Sequence, residues 1–249
     1  MIKFFRHIRK QLLTEGKTGK YFKYAVGEII LVVIGILIAL QINNWNEERN
    51  ISKSEQVFLA QILKSLQSDL GRTNFIYKNR ALKKQEAINS FLNNLNKDIL
   101  PHDSILWPSF WDMTLTLSFI YDKGAYESLK SKGLGIIKND TLRQKIVRTY
   151  ENDLPLGIEF IGINKNLNAQ LRNTYLQKLI EYDFKMLENG QWSSDTNVDF
   201  MKIKENKTLK QLISLETRVA SNYIYRLKDK ISDFEDLILH VKNELTKSK

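Results

Sequence analysis

The run IILVVIGILIAL, residues 29–40, is apolar without a break and constrains this chain more than any other stretch. Backbone amides and carbonyls inside hydrocarbon must find partners within their own segment, so such a run either crosses a bilayer as a helix or lies in a protein core. Twelve residues alone fit both, and the flanks decide. Tyr21, Phe22 and Tyr24 precede the run and Trp45 follows it, which puts aromatic anchors at the levels of the two membrane interfaces. Wound as a helix, residues 24–45 reach about 31 Å at about 1.5 Å per residue, close to the thickness of the hydrocarbon layer. A cleaved signal peptide would place small residues of the A-x-A type after the run. Here Gln41, Asn43, Asn44 and Trp45 follow instead, so the expectation is an uncleaved signal anchor.

The chain has 249 residues and a formal net charge of +10, a value that by itself suggests a nucleic-acid partner. Its distribution argues against one. Lys3, Arg6, Arg9, Lys10, Lys17, Lys20 and Lys23 precede the span against Glu15 alone, whereas Arg49 and Lys53 are the nearby cations after it. That asymmetry keeps the N-terminus in the cytoplasm and carries the rest of the chain across. Ile2, Phe4, Phe5, Ile8, Leu12 and Leu13 alternate with these cations at helical spacing, as in an amphipathic helix on an anionic leaflet. The organisation read from this is a basic amphipathic cytoplasmic segment at 1–23, a transmembrane helix at 24–45 and a periplasmic helical domain at 46–249.

The stretch GEIILVVIGILIALQINNWNE, residues 27–47, follows the basic segment KFFRHIRKQLL, and a second stretch, AYESLKSKGLGIIKNDTLRQKIVRTYEN, occupies 125–152. Both resemble an uncharacterised family of single-span membrane proteins of Gram-negative bacteria, known as a domain of unknown function. The resemblance implies the bacterial inner membrane and brings no activity with it.

In the outer part, Leu59, Leu63, Leu66, Leu70, Tyr77, Ile88, Phe91 and Leu95 form a stripe of helical period, which predicts one long helix from about 52 to 96. Ile213, Ala220, Leu227, Phe234 and Val241 recur every seven residues, with Ile224, Ile231, Ile238 and Leu245 interleaved four places on, a coiled-coil-like seam. Between them, Pro101 and Pro108 predict a loop, 110–120 a helix, Gly133 and Gly135 a turn, and Asn139 or Asp140 a cap for a helix whose core face is Leu142, Ile146 and Tyr150. Asp153 is expected to cap a helix opened by Pro155 and reaching about Leu187, and 190–197 reads as a loop. The expected fold is all-α: a signal-anchor helix followed by an extracytoplasmic antiparallel bundle of long helices.

Candidate chemistry is sparse. There is no cysteine, and His7, His102 and His240 are scattered, so no metal or other cofactor is expected. Gly133-Leu134-Gly135 lacks the rest of a phosphate loop, and His102 beside Asp103 lacks a nucleophile. Trp107 and Trp111 beside Phe110 read as core rather than as a ligand groove. Glu28 is the one ionisable group close to the apolar run. It is read either as an ion-coupling carboxylate or, preferentially, as a first-turn partner of the helix dipole at the interface. Gly35 and Ala39, four apart, form a small-xxx-small pattern for close helix packing, with Gln41 as a hydrogen-bonding partner. Together these features predict a non-enzymatic scaffold in contact with the bilayer, binding a protein partner or itself, and neither nucleic acid nor a small-molecule substrate. The alternative is a single-span subunit of an ion-coupled or pore-forming assembly that uses Glu28.

Overall fold

A computed structural model describes residues 18–247, with the backbone alone described for Thr18, Lys20, Tyr21, Tyr24, Asn164, Ser194 and Asp195. The basic segment at 1–17 lies outside the described residues. Helix α1, Thr18–Ile76, is followed by a π-helical turn, Tyr77–Leu82, and by α2, Lys83–Leu95. Then come α3 (Asp103–Asp112), α4 (Gly124–Lys132), a 3-10 turn (Leu134–Ile136), α5 (Asp140–Arg148), a second π turn (Thr149–Asp153) and α6 (Leu154–Leu179). A hairpin of β1 (Glu181–Met186) and β2 (Trp192–Asn197) leads to the short α7 (Phe200–Ile203) and the long α8 (Lys207–Lys247). The chain divides into two compact units, Met1–Glu55 and Gln56–Lys249.

In the second unit the predicted stripe is present in corrected form: Leu59, Ile62, Leu66, Ala81, Ile88, Phe91 and Leu95 are buried, while Leu63, Leu70 and Tyr77 pack at its edge. Its inward positions run 69, 73, 77, 81 across the first π turn, four residues per step where the rest of the stripe alternates three and four. The wider i→i+5 turn takes up the surplus residue and keeps both ends of the stripe facing the core. Gly133 ends α4 with φ of 107°, and the Asn139 side chain caps α5 by accepting from the Leu142 N–H at 3.1 Å. Both match the sequence reading.

Four expectations need correction. The fold is mostly α-helical, but residues 181–197 form a hairpin: Tyr182, Phe184 and Met186 alternate with Asp183 and Lys185, and Asn189-Gly190 turns the chain, Gly190 at φ 80°. Pro108 lies inside α3, held there by the buried Leu106 and Phe110. Residues 115–123 carry no helix; Leu117 and Phe119 are buried and Ile120 is exposed, an inside-out alternation of period two. Asp153 caps nothing, because the second π turn joins α5 to α6 without a break, and its side chain lies 3.6 Å from Arg148 Nε instead.

Two apolar clusters form the core of this unit. The first gathers Leu59, Leu66, Tyr126, Ile146, Ile161, Leu227 and Phe234, and the second Ile88, Phe91, Phe110, Leu179, Phe200 and Leu209. Helix α8 serves both. Its first row is the expected one, 213, 220, 227, 234 and 241, all buried. Its second row is Glu216, Tyr223, Lys230 and Leu237, three residues on rather than four, whereas Ile224, Ile231 and Leu245 are only half-buried.

Glu216 is fully buried and accepts from Arg172 through both carboxylate oxygens, Nη2 to Oε2 at 2.9 Å, and from Lys84 Nζ, which also donates to the Met113 carbonyl. The triad holds two cations and one anion. Burial pushes Lys84 down to about 8 despite the Glu216 charge beside it.

The charge count decides which variant is harmful. Lys84→Met leaves Arg172 and Glu216 paired one to one and is expected to be close to neutral, since apolar replacement of a buried ion is often tolerated. Glu216→Gln strands two buried cations and should lower the unfolding free energy by about 3 kcal/mol or more. Because the folded Lys84 releases its proton near pH 8 and an unfolded lysine only near its ordinary value of 10.5, the unfolded chain binds more protons between them. Wild type should therefore gain stability relative to Lys84→Met from pH 8 to 10. Thermal unfolding followed by circular dichroism in a neutral detergent checks both statements.

Candidate functional site

Among the described residues of the first unit, the largest chemical feature is the apolar length of α1. Eleven side chains from Ile29 to Ile42, with Gly35, Ala39 and Gln41 left out, are between 47% and 64% exposed, so protein covers none of them. Among the described residues this is the one helix long and apolar enough to cross a membrane. At about 100° per residue, Glu28, Gly35 and Ile42 align within about 20° per step and Ala39 falls on the same ridge. Gln41 does not. It lies about 160° round the helix from Ala39, so it cannot bond across a Gly35 and Ala39 contact, a correction to the sequence reading.

Glu28 requires a second correction. Helix α1 begins at Thr18, so Glu28 sits almost three turns inside it, and no acidic residue lies in the first turn. A helix dipole acts within the first turn, and it does not account for this carboxylate. Glu28 is half-buried beside Ala25, Ile29, Val32 and Val33. At the far end, Trp45 is 62% exposed and the Arg49 guanidinium stands 5.9 Å from its ring centroid, an aromatic and cationic pair of the kind found at interfaces. The backbone of Tyr21 and Tyr24 is helical, and their side chains lie outside the described residues.

In the second unit a polar cluster joins three elements. Ser65 and Asp69 come from α1, Asp122 from the extended segment and Tyr150 from the second π turn. Asp69 Oδ2 accepts from the Asp122 N–H at 2.9 Å, and Ser65 Oγ donates to Asp122 Oδ2 at 3.3 Å. Burial raises Asp69 above the usual carboxylate range against the Asp122 amide and Arg72, and it raises Tyr150 above the usual phenol range. The Tyr150 ring stacks on Tyr126 at 4.7 Å, and the Tyr126 hydroxyl donates to Glu151 at 2.7 Å, which also accepts from Lys130. The Asp69–Asp122 contact thus ties α1 to the extended segment, and the Tyr126–Tyr150 stack ties α4 to the second π turn.

The remaining candidates take structural places. His102 Nδ1 accepts from the Ser104 N–H at 3.2 Å and so caps α3, and the Ser104 hydroxyl lies 3.0 Å from the same ring nitrogen. Gly133 and Gly135 shape the turn after α4. Trp107 stacks on Trp111 at 5.6 Å and meets Phe110 and Phe200 edge-on; Phe110 and Trp107 belong to the second core, whereas Trp111, expected there, is 39% exposed. Among the described residues no group of three or more His, Cys, Asp or Glu could hold a metal ion. The sequence reading missed Lys84, Arg172 and Glu216 entirely; the signal available was a charged residue at a core position of each helix pattern.

Searches of curated proteins and of solved structures return no match. One family model does match, over residues 28–154, just over half of the 249. Its description is a family of unknown function, DUF6090, and the matched segment begins at Glu28 and takes in the apolar length of α1, Lys84, Asp69, the Gly133 turn and Tyr150. The chain belongs to this family of unknown function.

Proposed function

We propose that this protein is a single-pass, inner-membrane-anchored scaffold of the bacterial cell envelope. Residues 24–45 form an uncleaved signal anchor, the basic N-terminal segment stays in the cytoplasm, and the helical domain from 46 onward stands in the periplasm as an antiparallel bundle that binds another protein or an envelope component. The uncovered apolar length of α1 carries this reading. Eleven such side chains left in water would each forgo roughly 1.5 kcal/mol or more, a sum above the whole stability of a typical domain, about 5–15 kcal/mol. Hydrocarbon removes that penalty. The basic asymmetry around the span supports the orientation.

A second reading, an ion-coupled subunit, gains support from one observation: Glu28 lies inside α1 and on the ridge of Gly35 and Ala39 rather than in a first turn. A carboxylate on a helix-packing ridge is placed to face a neighbouring helix, where cation binding and release would occur.

Three measurements test these readings. A phosphatase reporter fused after Lys249 should be active and a cytoplasm-only reporter silent; the opposite pattern removes the periplasmic assignment. Gly35→Leu should weaken self-association by on the order of 1 kcal/mol in membranes. A Cβ at Gly35 meets no atom within 4 Å beyond its own helix backbone, so the single chain has room for the substitution and a change in the crosslinking ladder reports on pairing. Complementation of a deletion strain separates scaffold from ion coupling: Glu28→Gln at normal abundance should retain function in a scaffold and abolish it in an ion-coupled subunit, with Glu28→Asp restoring part of it.

A further inference from the structure

Helix α6 is apolar on two faces. Leu154, Ile161 and Leu179 point into the core with Arg172, while Leu156, Phe160, Ile163, Leu167 and Leu171 form an outward stripe at steps of four, three, four and four. These five are between 39% and 61% exposed and extend about 22 Å along the helix. A helix that is solvated on its outer side is ordinarily polar there. The stripe therefore leaves apolar area exposed along the helix, and its surroundings say what would cover it.

Leu171 also lines a groove of about 430 Å³ between α6 and α8, together with Tyr175, Leu215, Lys207, Lys210 and Arg218. That lining holds three cations and no carboxylate, and of the three Lys210 is paired with Glu205 at 2.8 Å. Farther along α8, the Arg226 guanidinium stands 4.3 Å from the Phe160 ring centroid and 5.6 Å from that of Tyr225. The stripe is thus bordered on its α8 side by a row of positive charge and on its other side by Glu159, Asn166 and Gln170, mostly uncharged. An apolar strip beside a concave basic row complements a helix with apolar residues at i, i+3, i+4 and i+7 and carboxylates along one flank. A second copy of this basic domain lacks that complementarity, and a flat anionic bilayer does not enter the groove between the two helices.

We infer that the face formed by the outer stripe of α6 and the basic groove along α8 is the docking site for an acidic amphipathic helix of a partner protein. The proposal deepens the scaffold reading, and it rests on the second unit alone, so it can fail while the membrane assignment stands.

The test uses the full chain in nanodiscs of zwitterionic lipid and two synthetic amidated peptides of about 18 residues with the same leucine stripe, one flanked by glutamates and one by lysines. Empty nanodiscs give the lipid background. Fluorescence anisotropy should show the acidic peptide binding at least about tenfold more tightly than the basic one and weakening with salt. Arg218→Glu and Leu167→Ser should each reduce its affinity by about tenfold. Both side chains lie outside the core, and unchanged circular dichroism confirms the fold. Equal affinity for the two peptides, no binding of the acidic one, or affinity unaffected by both substitutions would overturn the proposal. So would a homodimer that Leu167→Ser dissolves, which would make a second copy the occupant, or peptide-independent capture of phosphatidylglycerol vesicles abolished by Arg218→Glu, which would make it a lipid surface.

Discussion

The second unit depends on how one carboxylate is shared. Glu216 sits on α8 where the two apolar clusters meet, and its partners occupy the same level on their own helices. Lys84 lies between Ala81 of the first cluster and Ala87 of the second, and Arg172 between Ile161 and Leu179. Each cluster alone could be repacked with other apolar side chains at small cost. The Arg172–Glu216 pair at the junction could not, because a buried ion tolerates few positions for its counter-ion, and the fork of Arg172 accepts one geometry. The triad thus fixes the register of α2, α6 and α8 while adding little net stability. Apolar burial supplies the energy, and the charges choose which burial is reached.

A second polar contact works in the same way lower on α8. Lys230 is 6% exposed, and its Nζ donates to the Asp153 carbonyl at 3.0 Å and to Asp233 and Asp229. Burial alone would lower this lysine, but Asp233 and Asp229 outweigh it and hold it above its usual value. The close approach is permitted by Gly157, where a Cβ would stand 3.0 Å from the Lys230 stem and 3.3 Å from Phe119. Helix α6 is therefore held to α8 at two levels, by Glu216 and by Lys230. Those two ties orient it, and they leave the stripe from Leu156 to Leu171 facing outward.

Much of this was legible in the sequence where pattern and physics agree. The apolar run, the α1 and α2 stripe, the Gly133 turn, the Asn139 cap and the heptad row from Ile213 to Val241 all follow from spacing and residue type. What escaped did so for identifiable reasons. The second row of α8 was assigned to isoleucines because Glu216 and Lys230 are charged, and a binary pattern puts charge outside. The hairpin was hidden because Tyr182, Phe184 and Met186 alternate over six residues only, too few to outweigh the helical run before them. The two faces of α6 blur each other's period, so neither could be separated until the contacts of the other were known. At Glu28 the apolar run was mistaken for the helix itself; the helix starts ten residues earlier, at Thr18.

The family segment and the folding unit are not the same length of chain. Residues 28–154 carry the span, the inward stripe of α1 and α2, the Asp69 cluster and the Gly133 turn, but they stop where α6 begins. Leu59, Leu66 and Ile146 share a core cluster with Ile161 of α6 and Leu227 of α8, Phe91 packs on Phe110 and Phe200, and Lys84 has its carboxylate on α8. Without those helices the segment would expose several large side chains, each worth about 1.5–3 kcal/mol of burial, and would keep a buried-type cation with no counter-charge. In this chain the residues beyond 154 supply that apolar face and the anion at the level of Lys84. That role constrains α8 closely and the outer face of α6 hardly at all, since the exposed stripe from Leu156 to Leu171 takes no part in it.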